Sequence, residues 1–281
     1  MRVKLDDTRL FFDIEGAKLR PDGPQMREVP TLLLLHGGPG FDHSIWKPQF
    51  SELTDVAQIV YLDHRGNGRS DGWDDRERLN LAQWGDDVEA FCAALEIEKP
   101  IVMGTSFGGM VAMAYATRHP EHPSKLILCS TAARIRIDRS LEVFARLGGS
   151  EVREIARAFF ENPGPETMAP YVEKCFPLYH HTPMNPHLIP RTIMNSKLTA
   201  AFFRADIKRF NFLSELGKLK RPTLVIGGDD DPITPIADQE DIVAASPKGI
   251  VRFERFTHAG HGVVDDAPEP FFKLVREFIS A

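Results

Sequence analysis

The chain has 281 residues and a formal net charge of −6, with 42% hydrophobic and 26% charged residues. That is enough for one large α/β domain or two ordinary ones, with a sizeable core. No run of lysine or arginine stands out, which argues against nucleic acid or an anionic membrane surface as the main partner.

Met1–Asp7 has no apolar stretch of signal-peptide length, and the longest aliphatic run, Leu32 to Leu35, is far short of a membrane span. Cys92, Cys129 and Cys175 lack pair spacing and sit in apolar contexts. That pattern predicts reduced, buried thiols in a soluble cytoplasmic protein.

In chain order, Val3–Leu5 and Leu10–Ile14 read as a hairpin around the turn Asp6-Asp7-Thr8. Lys18 to Pro30 reads as a surface loop, with three prolines and a glycine. Thr31–Leu35 is apolar without alternation, as in a strand buried on both faces of a parallel sheet. The same signal returns at Ile59–Leu62, Ile101–Met103, Leu126–Cys129 and Thr223–Ile226, and more weakly at Ile250–Phe253. Leu81, Trp84, Val88, Phe91 and Leu95 would line one face of a helix. A second helix runs from Met110 to a stop at Pro120, and Asp266 is placed to cap the last one. Alternating strands and helices predict an α/β fold, a mainly parallel sheet with helices on both faces.

From 133 to 216 no buried-strand signal appears. Helical segments at Leu141–Leu147, Val152–Phe160 and Lys197–Phe210 are separated by Pro-, His- and Asn-rich turns. The expected organisation is a core of 1–132 and 217–281, with 133–216 as an inserted helical cap over the strand ends.

The chemistry-bearing residues follow the buried runs. Gly104-Thr105-Ser106-Phe107-Gly108 lies between a strand and a helix, the sequence form of a nucleophile elbow. A serine hydroxyl needs a base, and the base needs a third group to orient it. Asp231 is the favoured acid, because Pro232 restrains the chain after it, with Asp229 second. His261, on a glycine-flanked loop, is the favoured base, with His258 its rival. An oxyanion needs two converging N–H donors. Phe107, next after the serine, supplies one, and Gly38 in His36-Gly37-Gly38-Pro39-Gly40 supplies the other. Asp63–Asp71 lacks the P-loop pattern, so Asp63 and Arg65 are read as pinning loops around the site. The cap histidines His180, His181 and His187 lack metal-like partners.

H-G-G-P-G, D-H-R-G-x-G-R-S, G-x-S-x-G-G, G-x-x-D-P-x-x-P and A-G-H-G occur in this order. Together they resemble the α/β-hydrolase superfamily, and the first two look most like its proline iminopeptidase branch. The resemblance implies Ser106 as nucleophile, Asp231 and His261 as partners, and Gly38 and Phe107 as oxyanion donors. It implies no cofactor and no metal. That branch usually carries tryptophan where this chain has Phe107. It also reads the substrate's amino terminus with a cap glutamate, in a run whose nearest match here, Thr199–Phe203, has no carboxylate. Asp206 and Glu173 are the candidates to replace it. Phe107 and the cap are expected to choose the substrate.

The leading expectation is a serine hydrolase forming an acyl-enzyme on a small molecule or short peptide, cleaving aminoacyl amides as an iminopeptidase does. A carboxylesterase or lactonase is the alternative. A non-catalytic small-molecule receptor on the same fold is a remote one.

Overall fold

The computed structural model describes residues 1–205, 207 and 209–281. Its centre is an eight-stranded sheet. The strand order is β1 (Arg2–Lys4), β2 (Arg9–Glu15), β6 (Gln58–Leu62), β5 (Thr31–Leu35), β7 (Ile101–Thr105), β8 (Lys125–Cys129), β9 (Thr223–Gly228) and β10 (Val251–Phe256). β1 pairs antiparallel with β2 and β2 with β6, and every other pairing is parallel.

The unbroken apolar runs sit on central strands because both faces are covered. Leu33 and Leu35 enter one core, with Trp84, Val88 and Phe91 of α1 (Leu81–Ala94) and much of α2 (Phe107–Arg118). Leu32 and Leu34 enter the other, with Phe271, Leu274, Val275 and Phe278 of α9 (Pro268–Ser280). Cys92, Cys129 and Cys175 are buried free thiols. No helix among the described residues is long and apolar enough to cross a membrane.

The stretch read as a loop, Lys18 to Pro30, contains a hairpin, β3 (Leu19–Asp22) and β4 (Gln25–Glu28), lying on the surface. With its side chains almost all exposed, it has no apolar alternation to reveal it.

Between β8 and β9 no strand occurs among the described residues. The insertion carries α3 (Ile137–Glu161), α4 (Pro165–Lys174), α5 (Leu188–Arg191) and α6 (Ser196–Arg204). The first two predicted helices form one run interrupted at Gly149 (φ 84°, ψ −176°), and the third ends at Arg204 rather than Phe210. Leu141, Phe144, Phe159, Phe160 and Tyr171 give the insertion its own small core.

The register places Leu35 opposite Gly104, Gly104 opposite Leu128, and Leu128 opposite Val225. The segments that follow β5, β7, β8 and β9 therefore emerge together at one edge. The chain leaves β5 for β6 on one side and returns as β7 on the other. Such a reversal makes the ends of β5 and β7 the usual place for a ligand in such sheets.

Candidate active site

Ser106 stands between β7 and α2 with φ 54° and ψ −121°, outside the regions an L-residue prefers. Four hydrogen bonds hold its backbone there. Its N–H donates to the Cys129 carbonyl at 3.0 Å. Its carbonyl accepts from the Thr131 hydroxyl at 2.7 Å and from the N–H groups of Gly109 and Met110. A β-carbon on Gly104 would lie 2.1 Å from the Gly108 carbonyl oxygen, and one on Gly108 would lie 2.0 Å from that of Leu35. The turn closes this tightly only because both positions lack a side chain.

The three aspartates after β9 have three different partners. Asp229 forms an ion pair with Arg255. Asp230 pairs with Arg146 and with His181 Nε2. Asp231 is fully buried, and its Oδ2 lies 2.9 Å from His261 Nδ1. Asp231 also accepts from the Ile233 and Thr234 N–H groups at 2.8 and 2.9 Å and from the Thr234 hydroxyl at 2.9 Å. The structure thus brings Asp231, and not Asp229, to His261. His258 is exposed and carries φ 57°. The Ser106 hydroxyl has no hydrogen-bond partner among the described residues, His261 included. Such contacts are often long before substrate binds.

Gly37 lies beside the elbow, where a β-carbon added to it would come within 3.4 Å of the Ser106 Cβ. The N–H groups of Gly38 and of Phe107, the first residue of α2, have no acceptor among the described residues. The His36–Gly40 loop is supported from beneath, since Gly40 N–H donates to Asn67 Oδ1 at 2.6 Å and Asn67 Nδ2 donates to the Arg65 carbonyl at 2.8 Å. The Arg65 guanidinium is itself buried between Asp7 and Asp87, bound to both carboxylates through two hydrogen bonds each. Asp63 joins His43, at 2.6 Å to Nδ1, to the Arg69 N–H at 2.9 Å. Burial acts to raise the Asp63 pKa, but these donors and the nearby His36 hold it below the ordinary value.

The insertion grips the same loop from above. Thr199 Oγ1 donates to the Pro39 carbonyl at 2.7 Å, and Asn195 N–H to that of Gly40 at 2.7 Å. On the other flank Tyr179 sets its ring edge-on to His261, centroids 5.6 Å apart. Its carbonyl accepts the His261 N–H at 2.7 Å.

Two expectations about substrate choice change. Phe107 does not present its ring to a substrate. The ring is 1% exposed and packs edge-to-face with Trp84, His64 and Phe202 at 4.9, 5.5 and 5.3 Å. Glu173 points to solvent, its side chain 70% exposed and paired with Lys174. Asp206 lies outside the described residues. Glu142, Glu151, Glu154, Glu161 and Glu166 of the insertion are exposed as well. Among the described residues, no three His, Cys, Asp or Glu side chains are grouped as a metal would need.

Sequence reasoning missed Asp266. It does not cap the last helix, where Ala267 takes the N-cap without a side-chain bond. Asp266 ends α8 (Val263–Asp266), and its carboxylate turns back to the Gly260 N–H at 2.8 Å. Nothing in the sequence distinguishes it from Asp265, which accepts from Gln49 Nε2 at 2.8 Å instead.

A family model described as the alpha/beta hydrolase fold matches residues 30–268. The chain belongs to the α/β-hydrolase family. A proline iminopeptidase of Lactobacillus helveticus is 28% identical to it, with 90% of each chain covered. The crystal structure of a Mycobacterium smegmatis proline iminopeptidase has a TM-score of 0.79 at 22% identity, covering 100% of this chain and 97% of the other. An esterase from Exiguobacterium antarcticum has a TM-score of 0.74 at 18% identity, covering 99% and 97%. At these identities the two structures share the family's fold with this chain. Family and relatives alike make it a hydrolase.

Proposed function

We propose that the protein is a serine hydrolase acting through an acyl-enzyme, with Ser106, His261 and Asp231 as its catalytic residues and 133–216 as the cap over them. The observation that carries this reading is the 2.9 Å contact of His261 Nδ1 with the buried Asp231 carboxylate, on the strand edge that also holds the strained Ser106. Asp231 accepts a hydrogen bond from the Nδ1–H and so keeps that proton on Nδ1, which leaves Nε2 as the ring nitrogen able to receive the serine proton. Ser106 Oγ then bonds to the substrate carbonyl carbon, and the carbonyl oxygen becomes an oxyanion. The N–H groups of Gly38 and Phe107 are the donors offered to it. Collapse expels the leaving group, which takes the proton from His261. Water repeats the sequence on the acyl-enzyme and frees Ser106.

The test is labelling by a fluorophosphonate probe. Wild type should label at one site and Ser106→Ala not at all, with turnover lower by about a million-fold. An unlabelled wild type, or equal labelling of Ser106→Ala, overturns the reading and leaves a binding protein on the same fold.

For the substrate, the exposure of Glu142, Glu151, Glu154, Glu161, Glu166 and Glu173 among the described residues of the insertion favours an uncharged ester or lactone, since a buried ammonium without a counter-charge is costly. Similarity to proline iminopeptidases favours the second reading, cleavage of an aminoacyl amide at a free N-terminus. Proline naphthylamide and short acyl esters, assayed side by side, separate the two. Absence of turnover with every aminoacyl amide ends the second.

A further inference from the structure

One carboxylate ties the insertion to the loop that carries His261. Asp266 Oδ1 accepts the N–H groups of His181 and Thr182, at 2.8 and 2.7 Å, from the strap that follows Tyr179. Its Oδ2 accepts the Gly260 N–H at 2.8 Å. The next two N–H groups of the histidine loop, those of His261 and Gly262, both turn to the Tyr179 carbonyl, at 2.7 and 3.4 Å. Strap and loop are therefore laced by backbone bonds on one side and by the Asp266 carboxylate on the other.

The lacing bears on the histidine ring. A hydrogen bond between His261 Nδ1 and Asp231 fixes one ring nitrogen, but it leaves the ring free to swing about that contact. What fixes the swing is the position of the His261 backbone. That backbone sits between Gly260, held by Asp266, and the Tyr179 carbonyl, whose own strap is held by Asp266. Asp265 cannot stand in, because one of its oxygens is engaged by Gln49 Nε2 and the other faces His180, 3.5 Å away.

We propose that Asp266 is a positioning residue for His261, holding the 179–182 strap and the histidine loop together so that the catalytic base keeps its place. This rests on the reading of His261 as that base. Loss of the Asp266 carboxylate then slackens the strap and the histidine loop together.

The test follows labelling kinetics with the fluorophosphonate probe in Asp266→Ala and Asp266→Asn, alongside wild type. In Asp266→Ala the maximal labelling rate constant should fall about 10- to 100-fold, the range expected when a catalytic group is displaced by about an ångström. The half-saturating probe concentration should stay within about threefold, because the groups that bind the probe are intact. Asp266→Asn keeps one acceptor oxygen and should fall between the two. It also carries the test if the alanine variant does not fold. Amide exchange should accelerate at 179–182 and at 260–262 together.

A folded variant that labels at the wild-type rate overturns the proposal, even if its melting temperature drops, since Asp266 would then only anchor the insertion. Faster exchange in the strap alone, with the histidine loop unchanged, also overturns it. Failure of wild type to label is a different outcome, and it removes the serine-hydrolase reading itself.

Discussion

His36 Nδ1 donates to the carbonyl oxygen of Gly37, its own neighbour, at 2.8 Å, and that bond directs the next N–H along the chain. The proton sits on Nδ1 because Nε2 accepts from the His64 N–H at 3.3 Å. Burial lowers the pKa of both imidazoles, which keeps the rings neutral and this tautomer in place. In a trans peptide the N–H points away from the carbonyl. Fixing the Gly37 carbonyl on the His36 ring therefore aims the Gly38 N–H the opposite way, away from that ring.

His36→Phe keeps much of the ring volume and removes that bond. Turnover should fall by about 10- to 100-fold, somewhat less than the loss of an oxyanion donor. The Michaelis constant should change little. A variant that loses only substrate affinity would show that the Gly38 N–H needs no such guide.

The acid is tested by two parallel substitutions. Asp231→Asn keeps the side-chain shape but allows the wrong imidazole tautomer, and turnover should fall by about 10⁴-fold. Asp229→Asn breaks only a surface ion pair with Arg255, and should stay within about twofold of wild type. Comparable losses in both would remove Asp231 from its assigned place.

A titration of stability follows from Asp238, a buried residue of α7 (Ile236–Ala245). One oxygen meets Arg139 Nη1 at 2.7 Å, while Oδ2 has no partner among the described residues. Burial pushes this carboxyl from 3.8 up to about 7, against the pull of Arg139. The native chain therefore holds a proton, between those values, that the unfolded chain has released. Stability rises with pH only where the unfolded state binds more protons, so here it falls as pH rises from about 4 to about 7. Asp238→Asn does not titrate. Relative to that variant, wild type should lose up to about 4 kcal/mol over this interval, read from urea midpoints. Parallel midpoints would show that Arg139 keeps Asp238 ionised throughout.

Much of this was legible because buried parallel strands leave an unmistakable trace. Leu32–Leu35 and Ile101–Met103 are apolar throughout, and each motif is the first polar segment after such a run. What was not legible depends on direction rather than type. The β3–β4 hairpin buries no apolar side chain, so no pattern selects it. Asp229, Asp230 and Asp231 are chemically alike, and only the path of the turn decides which one meets His261. The role of Asp266 depends on a strap 85 residues earlier in the chain, a contact no local spacing encodes.

Phe107 shows the same limit, and its test separates packing from substrate contact. Its ring closes an aromatic cluster in which His64 follows β6, Trp84 belongs to α1 and Phe202 belongs to α6. The ring thus docks the insertion onto the elbow, while the backbone N–H of the same residue is the one offered to an oxyanion. Phe107→Trp adds a ring to a full space and should cost about 1–3 kcal/mol. Phe107→Ala opens a cavity and should cost about 3–5 kcal/mol. Both should appear as lower urea midpoints at an unchanged slope. Because the side chain has no exposed face, the ranking of acyl esters by chain length should be the same in Phe107→Trp as in wild type. A changed ranking, with stability intact, would put the ring in the substrate's path.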